Sequence, residues 1–222
     1  MAIPVIVAAL AAYLLGAIPF GWIVARSRGI DIFTVGSKNI GATNVARCVG
    51  KGWGVLTFVL DCLKGYLACA WIAPLVFWIF AQAGHPVDPA PSATAFAGIK
   101  LLCGVASVIG HSFPVFLKFR GGKGVATSAG LLLGIAPAAC GIAFAAWLVV
   151  FLIGRYVSLA SIAAALVLAV VAWVLPAYRA VGLWLPIVLT ALALLVVVRH
   201  HANIGRLIHG KELRFEFGKK VK

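Results

Sequence analysis

Carboxylates are scarce in this chain: among 222 residues the acidic side chains are Asp31, Asp61, Asp88, Glu212 and Glu216. A chemistry needing several carboxylates around divalent metals, such as metal-dependent phosphotransfer from a nucleotide-linked lipid, therefore has no ligand set here. Cys48, Cys62, Cys69, Cys103 and Cys140 lie within or beside apolar segments and lack metal-ligand spacing. They read as small buried hydrophobes. No G-x-x-x-x-G-K-[ST] pattern can be laid over the glycine-rich stretch, which excludes a P-loop. No polar stretch is long enough to fold separately, so a single membrane domain is expected over residues 1–222. The first residues lack a charged n-region and a small-residue cleavage site, so 3–25 read as a spanning helix.

What the chain has is apolar mass and positive charge. It is 64% hydrophobic with a mean hydropathy of +1.10, more apolar surface than a soluble domain of this size needs, so its solvent is a bilayer. Basic residues number 19 against 5 acidic, a formal net charge of +14. Because these cations flank apolar runs, an anionic leaflet and an anionic substrate explain them better than nucleic acid does.

Six long apolar runs cover about 3–25, 53–81, 95–117, 124–154, 157–175 and 181–198. A span takes ~20 residues, so the fourth run is too long for one ordinary helix; Pro137 near its middle, after Gly134, marks a break. Arg26, Arg28, Lys38, Arg47 and Lys51 sit in one loop, and seven cations from Arg199 to Lys222 sit in the tail. Both belong on the cytoplasmic side by the positive-inside rule, so an even number of spans must separate them. Splitting 124–154 satisfies this and leaves Gln82–Thr94, which lacks lysine and arginine, outside. The expectation is an all-α protein of seven transmembrane helices, N-terminus out and C-terminus in.

Four polar stretches then share the cytoplasmic face. The first is Gly36-Ser37-Lys38-Asn39-Ile40-Gly41-Ala42-Thr43-Asn44 with Arg47 beyond it. It is a turn of inward-pointing amides and hydroxyls in which Thr43 or Asn44 is suited to cap a helix. The second, Gly110–Thr127, holds His111, Lys118, Arg120 and Gly121-Gly122-Lys123-Gly124. Orientation alone needs cations but not Gly-Gly-Lys-Gly. Glycines bring backbone N–H groups close to a ligand and lysine adds charge, so an anion site is favoured. His111, inside the membrane boundary, either bonds a helix carbonyl or serves the site. The third stretch is Arg155-Tyr156-Val157-Ser158, where Ser158 is a cap or a site hydroxyl. The fourth is Arg199-His200-His201-Ala202-Asn203-Ile204-Gly205-Arg206, then Gly210-Lys211-Glu212. On a continuous helix His200 and Asn203 share a face and His201 points elsewhere. Glu212, twelve residues past His200, would lie ~18 Å away on that helix and is expected to tie the tail down. Asp61 and Lys64, one turn apart within a span, are expected to pair structurally.

Taken together these stretches resemble the acyl-phosphate-dependent glycerol-3-phosphate acyltransferases of bacterial membranes. The family pattern S-G-N-x-G-A-T-N is matched by Ser37 to Asn44, with Arg47 following; G-H-x-x-P-x-F-x-x-F-x-G-G-K-G-V-A-T is matched from Gly110 to Thr127. R-H-x-x-N-I-x-R-L-x-x-G-x-E is matched from Arg199 to Glu212, and the one departure is Lys38 in place of the usual glycine. The resemblance implies seven helices and a cytoplasmic-face site in the bacterial inner membrane. It implies transfer of a fatty acyl group from acyl phosphate to glycerol 3-phosphate, giving 1-acylglycerol 3-phosphate and phosphate. Neither acyl-CoA, acyl carrier protein, cofactor nor metal takes part; membrane lipid is the remaining partner. It also implies catalytic roles for Ser37, Arg47, Lys123, His200 and Asn203. Substrate binding falls to Asn39, Gly41, Ala42, Thr43, Asn44, Lys51, His111, Gly121, Gly122, Gly124 and Ser158. Acyl phosphate is already an activated anhydride, so no covalent enzyme intermediate is required. Either a substrate phosphate oxygen or His200 takes the hydroxyl proton, and the lack of carboxylates in the motifs favours the substrate. The rival class is a transporter or flippase of a phosphorylated solute.

Overall fold

A computed structural model describes residues 2–85 and 92–216. Residues 86–91 of the loop expected outside, and the last tail cations from Lys219 on, lie outside the described residues. The regular elements of the described chain are all helices, and it divides into two compact units, one up to Ile135 and one from Ala136.

The first unit holds α1 (Ala2–Ala17), α2 (Phe20–Ser27), α3 (Ala42–Cys48), α4 (Lys51–Leu67), α5 (Ala73–Gln82), α6 (Ala93–Ser112) and α7 (Val125–Ile135). Between α4 and α5 the helix widens into a π-turn at Ala68–Ile72. Pro74 explains it, because its ring clashes with the carbonyl four residues back and it has no N–H to donate. α1 lies along α6 and α4 along α7. The approach depends on missing side chains: a Cβ on Gly110 would overlap the Tyr13 carbonyl, and one on Gly130 the Cys62 carbonyl. Such small-residue contacts are how helices associate where lipid supplies no hydrophobic drive. Asp61 and Lys64 pair as the sequence implied, Nζ to Oδ1 at 2.8 Å, both fully buried.

The second unit holds α8 (Pro137–Gly154), α9 (Val157–Val174), α10 (Pro176–Ala180), α11 (Trp184–Arg199) and α12 (His201–Ile208). α9 packs on both α8 and α11. The indole N–H of Trp147 donates to Ser161 Oγ at 3.2 Å, and that of Trp173 to Thr190 Oγ1 at 3.0 Å. Each joins neighbouring helices and satisfies a polar group that lipid cannot.

Among the described residues five helical stretches, Ala2–Ser27, Lys51–Gln82, Ala93–Leu117, Pro137–Gly154 and Val157–Val174, are long and apolar enough to cross a membrane, or six when α11 and α12, bent by 56°, count as one span. The break in run 124–154 falls at Ala136, directly before Pro137. α7 is apolar but has 11 residues, a rise of ~16 Å against a hydrocarbon core of ~30 Å. Long apolar side chains such as Leu10, Trp71, Trp78, Leu152 and Val170 stand exposed, as lipid-facing residues do.

Candidate active site

The first unit carries one group of candidate residues, organised by a single amide. Asn44 is buried in the first turn of α3. Its Nδ2 donates to the carbonyls of Asn39 at 3.0 Å, Val35 at 3.2 Å and Ile32 at 3.5 Å, while its Oδ1 accepts the Ser37 N–H at 2.8 Å. One side chain thus shapes the turn that carries Ser37. Neither Asn44 nor Thr43 is the N-cap expected from the sequence. Gly41 holds that position without a side-chain bond, because the Asn44 amide is turned back into the loop. Ala42 and Thr43 begin α3, Arg47 lies half-buried in its last turn, and Lys51 is exposed at the start of α4.

Lys38 adopts φ +56, the left-handed region where the related glycine is at ease and a lysine is strained. Asn39 then reaches across: its Oδ1 accepts the Gly41 N–H at 2.9 Å, and its Nδ2 donates to the Gly121 carbonyl at 3.3 Å. The Arg120 guanidinium sits 4.3 Å over the Phe33 ring. Two contacts therefore tie the loop that carries Phe33, Ser37 and Asn39 to Arg120 and Gly121, the residues that lead into Lys123. Burial pushes the Cys48 thiol up and the Arg47 charge pulls the other way, leaving it raised. Such a thiol is a poor nucleophile.

His111, in the last turn of α6, is 4% exposed. Its Nδ1 lies 3.4 Å from Asp61 Oδ1, the oxygen that also meets Lys64. Sequence reading took His111 alone and Asp61 with Lys64 as a pair. The link joins helices fifty residues apart in sequence, and its one available signal was that all three are ionisable groups inside apolar runs.

The second unit carries the other group, centred on Glu212. Its Oε1 accepts from Ser158 Oγ at 2.8 Å and Asn203 Nδ2 at 2.7 Å; its Oε2 accepts from Arg206 Nε at 2.7 Å. Burial pushes the carboxyl up, but these three hydrogen bonds and the Arg206 charge outweigh it and hold Glu212 below the usual carboxylate range. Ser158 does not cap α9, since its hydroxyl is committed to Glu212 and Tyr156 occupies the cap position.

The tail departs from the straight helix assumed for it. α11 ends at Arg199 and α12 begins at His201, with the bend at His200. After α12, Gly210 at φ +65 closes a Schellman turn, the Lys211 N–H bonding the Arg206 carbonyl at 2.7 Å and the Gly210 N–H that of Leu207 at 3.1 Å. The chain folds back, so Glu212 touches Asn203 instead of lying a long helix away. His200 and Asn203 are buried and His201 is exposed. The His200 Nδ1 meets the Val196 carbonyl at 2.7 Å. No cluster of three or more metal-ligating side chains occurs among the described residues.

Residues 6–210 match the family model described as glycerol-3-phosphate acyltransferase. A glycerol-3-phosphate acyltransferase of Aquifex aeolicus is 43% identical over 204 residues, covering 92% of this chain and 95% of its own. One of Desulforudis audaxviator is 42% identical over 214 residues, covering 93% of each. Among solved structures, that of PlsY (YgiH), an integral membrane glycerol 3-phosphate acyltransferase in its glycerol 3-phosphate form, superposes with a TM-score of 0.76. It shares 40% identity and covers 96% of both chains. The lysophosphatidic acid form gives 0.73 at 39% identity. With matching family model, relatives and fold over nearly its whole length, this chain belongs to the glycerol-3-phosphate acyltransferase family.

Proposed function

We propose that this protein transfers a fatty acyl group from acyl phosphate to glycerol 3-phosphate, the entry to phospholipid synthesis, giving 1-acylglycerol 3-phosphate and inorganic phosphate. The observation that carries the reading is the Asn39–Gly121 hydrogen bond, which joins the loop of Ser37 and Asn39 to the turn whose sequence includes Lys123, with Arg47 in the helix that follows that loop. Two phosphorylated reactants repel each other, and cations with backbone amides are what brings them together. Family membership supports glycerol 3-phosphate as acceptor. The lysophosphatidic acid form of a solved relative fits the product.

In the reaction the acceptor hydroxyl attacks the acyl carbonyl, forming the new ester C–O bond. The bond from that carbon to the phosphate oxygen breaks, and phosphate leaves with the electron pair. The hydroxyl proton passes to a phosphate oxygen of the substrate. Arg47 and Lys123 hold the phosphates, Ser37 orients the acceptor, and His200 with Asn203 stabilise the charge developing on the carbonyl. In the first unit Asn39, Gly41, Ala42, Thr43, Asn44, Lys51, His111, Gly121, Gly122 and Gly124 serve substrate binding, directly or by holding its turns, and in the second unit Ser158 does so. The chain acts as one membrane domain over residues 1–222. Seven helices, with α7 as the short member, and a cytoplasmic-face site agree with the cation distribution, and the bacterial inner membrane is what the family resemblance implies.

The test is phosphate release by purified protein in lipid mesophase. Release that requires both acyl phosphate and glycerol 3-phosphate supports acyl transfer. Flux of a phosphorylated solute without bond cleavage would establish a carrier and refute it.

A further inference from the structure

The buried charges of the first unit end at the glycine turn. Lys64 Nζ donates to the Ile18 carbonyl at 2.9 Å and pairs with Asp61 Oδ1, and that oxygen faces His111 Nδ1. Lys64, Asp61 and His111 are 1%, 2% and 4% exposed, so the trio is shielded from bulk solvent. On the other side of the imidazole lies Gly122. A Cβ there would overlap His111 Nε2 and come within 2.7 Å of Cε1 and 3.0 Å of Cδ2. The His111 carbonyl also accepts the Gly122 N–H at 3.0 Å. One residue therefore seats Gly122 twice, by its backbone and by its ring. The adjoining Gly121 has no room for a side chain either, its Cβ position overlapping the same His111 carbonyl and Pro114 Cδ.

Holding a buried ion pair in a span costs several kcal/mol in desolvation, and a well-packed apolar pair would do the purely structural task as well. What an apolar pair cannot do is orient an imidazole. A carboxylate facing Nδ1 fixes ring rotation and tautomer, as the outer partners of metal-bound histidines do. We propose that His111, oriented by Asp61 and Lys64, is a positioning residue that fixes the Gly121–Gly124 turn, and so Lys123, for the phosphate of glycerol 3-phosphate. This rests on the acyl-transfer reading above.

Steady-state phosphate release by the full-length protein, titrating glycerol 3-phosphate at saturating acyl phosphate, tests it. His111→Phe keeps a ring against Gly122 but cannot engage Asp61. It should raise KM for glycerol 3-phosphate about tenfold, with kcat within about threefold and KM for acyl phosphate unchanged. The double variant Asp61→Leu/Lys64→Met removes the orienting pair without leaving a buried charge, and should give the same KM rise with a thermal midpoint near the parent's. A folded His111→Phe or double variant with KM for glycerol 3-phosphate within about twofold of the parent overturns the proposal. Lost stability at unchanged KM, or failure of both variants to fold, makes the trio a folding element and overturns it too. A parent protein that releases phosphate without glycerol 3-phosphate sinks the acyl-transfer reading instead.

Discussion

Glu212→Gln separates a structural carboxylate from a catalytic one. The glutamine retains an oxygen at Oε1, so the bonds from Ser158 and Asn203 survive. At Oε2 an NH2 group now faces the Arg206 Nε–H, donor against donor, across a distance of 2.7 Å. The charge-assisted bond is worth ~1.5–3 kcal/mol, and the opposed donors add to its loss. Arg206 is 33% exposed and partly rehydrates, which brings the expected destabilisation to about 2 kcal/mol. For a chain of this size that is a fall in the thermal midpoint of roughly 4–8 °C. Glu212→Ala should cost more, about 3–5 kcal/mol, because it strands the buried Ser158 hydroxyl and Asn203 amide as well. Thermal unfolding and specific activity of the surviving protein, measured side by side, check this. Loss of stability should exceed loss of turnover per folded molecule. A Glu212→Gln protein with the parent's midpoint and no turnover would refute the reasoning and make Glu212 part of the chemistry.

Since Glu212 is held below the usual carboxylate range, its stabilisation is complete above the unfolded-chain pKa of ~4.3 and disappears as pH falls through the lower folded value. Thermal midpoints of parent and Glu212→Gln should accordingly differ at neutral pH and converge in acid. Lys123→Met and Arg47→Met should each lower turnover ~10²-fold or more at normal expression, and near-parent rates in either would remove that residue from the site. Lys38→Gly should relieve the left-handed strain of ~1–2 kcal/mol at a cost of ~0.4–1 kcal/mol in unfolded-chain entropy, so a small rise in thermal midpoint is expected; a fall would mean the lysine makes a contact that outweighs the strain. His200→Ala and Asn203→Ala should both cripple transfer, with the double variant little worse than either, while exposed His201→Ala stays within about tenfold of the parent. Parallel rates on these variants decide it, and a dead His201→Ala would reassign the histidine.

What could be read from the sequence was whatever a residue dictates locally. Pro137 forbids a continuous helix through 124–154, and α8 begins there. Asp61 and Lys64, three residues apart on one helix face, had no cheaper partner than each other. The strain at Lys38 was legible as a departure from glycine, and the turn does place it at positive φ. What could not be read was set by side chains that bond distant backbone. Asn44 looked like a cap because asparagine caps helices, yet loop carbonyls from Ile32 to Asn39 had a stronger claim on its amide. The return of Glu212 to Asn203 had a signal in Gly210, a glycine two residues past the end of α12, but its consequence depends on the Schellman turn and the three donors waiting for the carboxylate.

Those two carboxylates also bear on the proton. The scarcity of acidic residues left open whether one of the few could act as general base. Asp61 is buried against Lys64 and His111, and Glu212 accepts three hydrogen bonds that stabilise its charged form. A base must gain a proton during reaction, and each of these would lose its partners' stabilisation by doing so. Asp31 is exposed and accepts the Phe33 N–H at 3.0 Å in its own turn. Neither buried carboxylate is thus ready to take a proton. For the acyl transfer proposed above, this favours the substrate's own phosphate oxygen as the proton acceptor. In that reading the protein's part is to bring two phosphates together and hold the carbonyl in line for attack.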